Sequence, residues 1–174
     1  PIYVNALICR AFIKEKMNDY LAALADYNIA IEIDSGSFMA LNNRGLARKI
    51  LKDYKGAIED FTKALKIDPN HTNALINRGN VRKELKDFNG AIDDYTRVIE
   101  IDQYDADAFF YRGLTKNELN DYDGAIADYT SALRIDSTDK YSFFHRGNAK
   151  VNLGDLKGAI EDYSKAIKID SEYA

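Results

Sequence analysis

The chain holds two histidines and one cysteine, the side chains from which a nucleophile and its base would most readily be drawn. His71 stands in a Pro69-Asn70-His71-Thr72 turn, His145 on a helical stretch, and Cys9 after the apolar run Ala6-Leu7-Ile8. No histidine lies near Cys9 in sequence, and neither metal-ligand spacing nor a phosphate-binding glycine loop occurs. Aspartates and glutamates are frequent, but their spacing puts them on helix surfaces, where solvation accounts for them. The sequence therefore predicts no catalytic residue, no metal, no cofactor and no enzyme. A single thiol forms no intrachain disulfide, and Cys9 reads as a core-packing or groove-lining residue.

Arginines and aspartates show more order. Arg10, Arg44, Arg78, Arg112 and Arg146 recur every 34 residues, and so do Asp26, Asp60, Asp94, Asp128 and Asp162. A guanidinium level with a carboxylate forms a bidentate, charge-assisted pair. A second aspartate column, Asp34, Asp68, Asp102, Asp136 and Asp170, competes for the same arginines. Which column wins depends on the elements that carry them.

Those elements follow from the same period. Gly45, Gly79, Gly113 and Gly147 share a column with Ala11. Ala23, Ala57, Ala91, Ala125 and Ala159 form another, and Tyr27, Phe61, Tyr95, Tyr129 and Tyr163 a third. A fixed period of this length is the mark of a stacked-repeat solenoid. Residues 73–85 carry Ala74, Leu75, Val81 and Leu85 at helical spacing, and residues 88–101 carry Phe88, Ala91, Ile92, Tyr95, Val98 and Ile99. Each unit thus reads as two helices. Asp19, Asp53, Asp87, Asp121 and Asp155 precede the second helix of each unit as N-caps, and Asp68-Pro69-Asn70 marks a turn between units. Gly on one helix and Ala on the other let two backbones approach to about 8 Å, which offsets the roughly 0.5–1 kcal/mol that a helical Gly costs.

In an antiparallel hairpin turning near the fifteenth residue of a unit, the seventh and twenty-third positions lie at nearly the same height. These are the Arg column and the Asp26 column. The closing aspartates lie seven residues further on, about 10 Å along the axis. The expected ladder joins Arg44, Arg78, Arg112 and Arg146 to Asp60, Asp94, Asp128 and Asp162. The same height holds for the next unit's first helix, so the pairing is either within a unit or between neighbours. An arginine column that binds an acidic partner is the functional alternative.

The pattern resembles the tetratricopeptide repeat, carried in the second unit by Leu41, Arg44, Gly45, Arg48, Ala57, Phe61 and Pro69. It departs where Leu or Phe replaces Trp, Arg replaces Leu before the Gly, and Arg or Lys replaces Tyr. The resemblance implies an all-α, right-handed superhelical solenoid of antiparallel helix pairs, one array over residues 1–174 with units at 4–37, 38–71, 72–105, 106–139 and 140–173. Pro1 falls in the register of Pro69 and Ala174 at the first position of a following unit, and neither end carries the polar cap a solenoid terminus needs. The register therefore predicts a fragment of a longer array, with self-association through uncapped ends as one expectation. Tyr163, Ile160 and Ile167 would face the missing neighbour.

The resemblance also implies an inner face made by the first helices. At the family's groove positions stand Asn43 in the second unit and Asn73, Asn77 and Asn80 in the third. The fourth contributes Phe110, Tyr111 and Leu114, and the fifth Tyr141, Phe144, His145 and Asn148. The amides suit an extended peptide backbone, and the aromatics have the composition of binding hot spots. Phe110 and Phe144 serve either as groove wall or as packing between helices. The lysine-and-asparagine clamp that some family members use for a C-terminal carboxylate is missing, because the fifth positions are Ile8, Asn42, Ile76, Phe110 and Phe144.

The expected function is a scaffold that binds a protein or peptide partner in this groove. The alternatives are a self-associating spacer and a regulatory array of a larger protein. With 24 basic against 28 acidic residues and a net charge of −4, nucleic acid is not an expected partner. No apolar run approaches the roughly 20 residues that span a bilayer, so membrane insertion is not expected. No leader pattern appears, which leaves the cytoplasm as the default compartment.

Overall fold

The computed structural model describes residues 2–172; Pro1 and Ala174, and with them the register of the two ends, lie outside the described residues. All regular structure among these is helical. The chain forms two compact units that divide between Lys86 and Asp87. The first holds α1 (Ile2–Lys16), α2 (Tyr20–Ile33), α3 (Phe38–Ile50), α4 (Tyr54–Ile67) and α5 (Thr72–Glu84). The second holds α6 (Phe88–Ile101), α7 (Ala106–Glu118), α8 (Tyr122–Ile135), α9 (Lys140–Asn152) and α10 (Leu156–Glu172). In the first unit α1 pairs with α2, α3 with α4, and α5 packs on α4; in the second α7 packs on α6 and pairs with α8, and α9 pairs with α10.

The hairpin turn is built the same way each time. The residue before the N-cap aspartate is left-handed: Asn18, Lys52, Asn120 and Gly154 have φ of 61°, 62°, 61° and 81°. That conformation lets the next amide reach back over the end of the first helix, as Asp53 N–H does to Arg48 C=O at 2.9 Å and Asp121 N–H to Lys116 C=O at 2.9 Å. The aspartate then caps the second helix. Asp53 accepts from Gly56 N–H, Asp121 from Gly124 N–H and Asp155 from Gly158 N–H, each at 3.0 Å. Between hairpins the closing aspartates hold the turn: Asp34 accepts from Gly36 N–H at 3.0 Å and Asp136 from Thr138 N–H at 2.9 Å. Those carboxylates have a local task.

The core of the first unit gathers Val4, Leu7, Ile8, Ala11, Ala23, Tyr27, Ala30, Ala40 and Ala47, continued by Ala57, Phe61 and Val81. The repeated glycine has a cause other than backbone approach. A Cβ on Gly45 would sit 2.7 Å from Phe61 Cε1, and one on Gly147 2.7 Å from Tyr163 Cε1. An aromatic ring from the second helix fills the space a glycine Cβ would take. Tyr163 therefore packs within its own hairpin, where its hydroxyl donates to Asn148 Oδ1 at 2.7 Å; it does not turn towards a missing neighbour. Ile160 and Ile167 are 65% and 68% exposed. Cys9 is exposed rather than packed in the core.

Candidate functional site

Each carboxylate of the Asp26 column is buried, and Asp26, Asp60, Asp128 and Asp162 each meet an arginine of their own hairpin. Arg44 grips Asp60 with two parallel bonds, Nε to Oδ2 at 2.8 Å and Nη2 to Oδ1 at 2.6 Å. Arg112 holds Asp128 at 2.9 and 2.7 Å, and Arg146 holds Asp162 at 2.9 and 2.7 Å. Arg10 does the same to Asp26. The arginine's third nitrogen reaches back to the preceding hairpin. Arg44 Nη1 donates to Asn28 Oδ1 at 2.8 Å, Arg78 Nη1 to Thr62 Oγ1 at 3.2 Å, Arg112 Nη1 to Thr96 Oγ1 at 3.0 Å and Arg146 Nη1 to Thr130 Oγ1 at 3.0 Å. One guanidinium ties two hairpins. Asp94, on α6, is buried like its counterparts.

A second cation completes the sites at Asp26, Asp60, Asp128 and Asp162, and the sequence reading missed it. Lys14, Arg48, Lys116 and Lys150 approach Asp26, Asp60, Asp128 and Asp162 at 2.7–2.8 Å. The available signal was their own column, four residues after each arginine and so on the same helix face. The hydrogen bond from Arg10 leads in bringing Asp26 down to about 2. At Asp162 burial pushes the carboxyl up, but the bonds from Arg146 and Lys150 outweigh it and the net shift is downward. These arginines are spent on structure, with Arg44, Arg112 and Arg146 only 11%, 17% and 13% exposed in their side chains.

The candidate binding residues divide by unit. In the first, Asn73 is exposed and Asn43, Asn77 and Asn80 are half-buried. Asn43 Oδ1 accepts from the Asn42 side-chain amide at 3.3 Å. In the second, rings touch in series along α7 and α9. Phe110 lies 5.6 Å from Tyr111 and 5.6 Å from His145, both edge-on, and Phe144 lies 5.3 Å from His145. Beneath them His145 stacks on the buried Tyr129 at 6.1 Å. Tyr141 and Phe144 are the most open, 61% and 48% exposed. Leu114 is half-buried, and the Asn148 carbonyl is already taken by Tyr163. A cavity of about 520 Å³ lies against Tyr141, Phe144, His145, Ala166 and Ile167. Another, of about 250 Å³, lies against Asp107, Phe110, Tyr111 and Tyr141. Tyr141 is the wall they share.

The tetratricopeptide repeat family model matches residues 38–71, 76–140 and 141–173. The chain belongs to the tetratricopeptide repeat family. Solved structures agree on the all-α repeat solenoid. MamA from Desulfovibrio magneticus RS-1 aligns with a TM-score of 0.91 at 22% identity over 98% of this chain and 96% of its own. A tetratricopeptide repeat protein from Parabacteroides merdae aligns with a TM-score of 0.88 at 18% identity, over 97% and 67%. YrrB, described as having an unusual peptide-binding site, aligns with a TM-score of 0.80 at 25% identity, over 94% and 84%. Among curated proteins no sequence matches. The fold is that of a protein–protein interaction scaffold, and tetratricopeptide proteins are generally non-enzymatic. Among the described residues no helix is long and apolar enough to cross a membrane, and no group of three His, Cys, Asp or Glu side chains is placed to hold a metal ion.

Proposed function

We propose that the ring-lined surface of α7 and α9 is a groove for a peptide or helical segment of a partner protein. The observation that carries the reading is the unbroken series Tyr111, Phe110, His145 and Phe144, flanked by two cavities that share Tyr141. Binding sites are concave and mostly apolar, with a few polar groups that fix orientation. Here the rings of α7 and α9 bury an apolar anchor. YrrB, a tetratricopeptide repeat protein with an unusual peptide-binding site, supports the same class of ligand. The test is a displayed peptide library panned on the whole chain. Tyr111→Ala with Tyr141→Ala should release the selected peptides, and Lys63→Ala and Lys165→Ala, on the second helices of their hairpins, should not. Peptides indifferent to the tyrosine pair and lost with the lysines would overturn the groove.

Self-association is a second reading, favoured by α10. Ile167 is 68% exposed, whereas Leu133, its counterpart one repeat earlier, is 8% exposed. Light scattering that grows with protein concentration and is abolished by Ile160→Lys with Ile167→Lys would support it; a constant monomer mass at millimolar concentration would remove it.

A further inference from the structure

Of the two cavities that share Tyr141, the smaller differs in chemistry from the larger. Phe110, Tyr111 and Tyr141 wall it, and Asp107, Asp136 and Asp139 line it with them. Two of these acids are occupied by neighbouring donors. Asp136 accepts from Thr138 N–H and Oγ1–H, at 2.9 and 2.7 Å. Asp139 caps α9 by accepting from Tyr141 and Ser142 N–H, each at 3.0 Å. Neither bond neutralises a charge. Asp107 has neither a hydrogen-bond nor an ion-pair partner among the described residues. Partial desolvation, with Asp105 and Asp139 close by, pushes its carboxyl up, although the residue stays exposed at the surface. The neighbouring lysine does not relieve this, because Lys140 is paired with Asp170 and lines the larger cavity instead.

Negative charge beside aromatic faces, here with Asp107 and Asp136 at the exposed rim and Phe110 and Tyr111 half-buried, is the arrangement that attracts a cation. The ring quadrupoles and the carboxylates act in the same sense, and both strengthen as water leaves. An apolar occupant would desolvate the acids with no return, and an anion would be repelled. The matching positions in the first unit are Phe38, Met39, Asn42, Asn43, Asp68, His71 and Asn73, with one carboxylate in place of three. The selectivity therefore belongs to the second unit. We propose that this cavity receives a basic side chain, lysine or arginine, of the bound segment. The inference rests on the groove reading and adds a charge rule to it.

The pocket is tested apart from any peptide. Isotope-labelled full chain is titrated with Nα-acetyl-lysine methylamide, and separately with the norleucine and glutamate analogues. The lysine probe should shift the amides of Asp107, Tyr111 and Tyr141, with Kd of about 1–10 mM. The norleucine analogue should bind at least about fivefold more weakly, and the glutamate analogue not at all. Asp107→Asn should weaken the lysine probe about fivefold, whereas Asp123→Asn on α8 should leave it unchanged. Equal response to norleucine, shifts scattered over other surface acids, or silence at 50 mM probe (roughly tenfold above the expected Kd) overturns the assignment. A silent pocket beside tyrosine-dependent peptide binding defeats the charge rule and spares the groove. A responsive pocket in a chain whose selected peptides ignore the tyrosines does the reverse.

Discussion

At the second, fifth and sixth positions of α3 the first unit presents Met39, Asn42 and Asn43; at the same positions of α7 the second presents Asp107, Phe110 and Tyr111. Beneath them the two units repeat the same frame: Arg44 on Asp60 and Arg112 on Asp128, each with a second cation, each with a link to the preceding hairpin. Positions that hold helices together must keep their chemistry, because a buried carboxylate that loses its partners is expensive. Positions facing outward carry no such requirement. The difference between the units is therefore a difference of surface, and surface is where recognition resides.

The comparison is broken most forcefully through the frame. Asp60→Ala and Asp128→Ala each strand two cations, and each should cost about 3–5 kcal/mol in urea unfolding. Similar losses in both units are expected; a large loss in one alone would mean that the frames are not equivalent. Next comes the surface. Removing Tyr111 and Tyr141 together should weaken a selected peptide by tenfold or more, about 1.4 kcal/mol at the least. Asn43→Ala with Asn77→Ala, in the first unit, should cost under about threefold. An inverted order would move the binding site to the amides.

Acid reaches both units together. Asp26 in the first and Asp162 in the second have carboxyls held below the unfolded value. Their contribution is complete above about pH 4 and is lost as pH falls through the folded value, about 2 for Asp26. The thermal midpoint should decline between about pH 4 and 2, and a chain indifferent to that range would contradict the assigned bonds. The smallest effect is at the turns. Lys52→Gly relieves a left-handed lysine, φ 62°, and should stabilise by roughly 0.5–1 kcal/mol. Asn120→Gly in the second unit should gain only a few tenths, since Asn tolerates that conformation.

Periodicity alone carried the helices, the N-cap aspartates and the columns from which the frame is made. It left open whether Asp60 meets the arginine of its own hairpin or the next, because both choices place the groups at one height. Side-chain direction decides that, and a one-dimensional pattern does not contain it. The second cation was visible as a column but had no assigned partner for the same reason. Gly45 was read as backbone contact, and only the ring of Phe61, packed where a Cβ would stand, shows otherwise. Among the candidate binding residues, the hydrogen bond from Tyr163 to Asn148's side-chain oxygen and the cavities beside Tyr141 depend on rotamers, so spacing could place the residues without describing the site.

The ties in this frame are short in chain terms: 12 residues from Arg48 to Asp60 and 16 on either side of Arg112. A molecule stitched so locally has no long-range clasp to fail all at once. Pulled from its ends in an optical trap, it should give way in packets, one hairpin after another. Each packet of 34 residues would release a contour of roughly 110–120 Å, and slackening the trap should let the packets close again in steps of the same length.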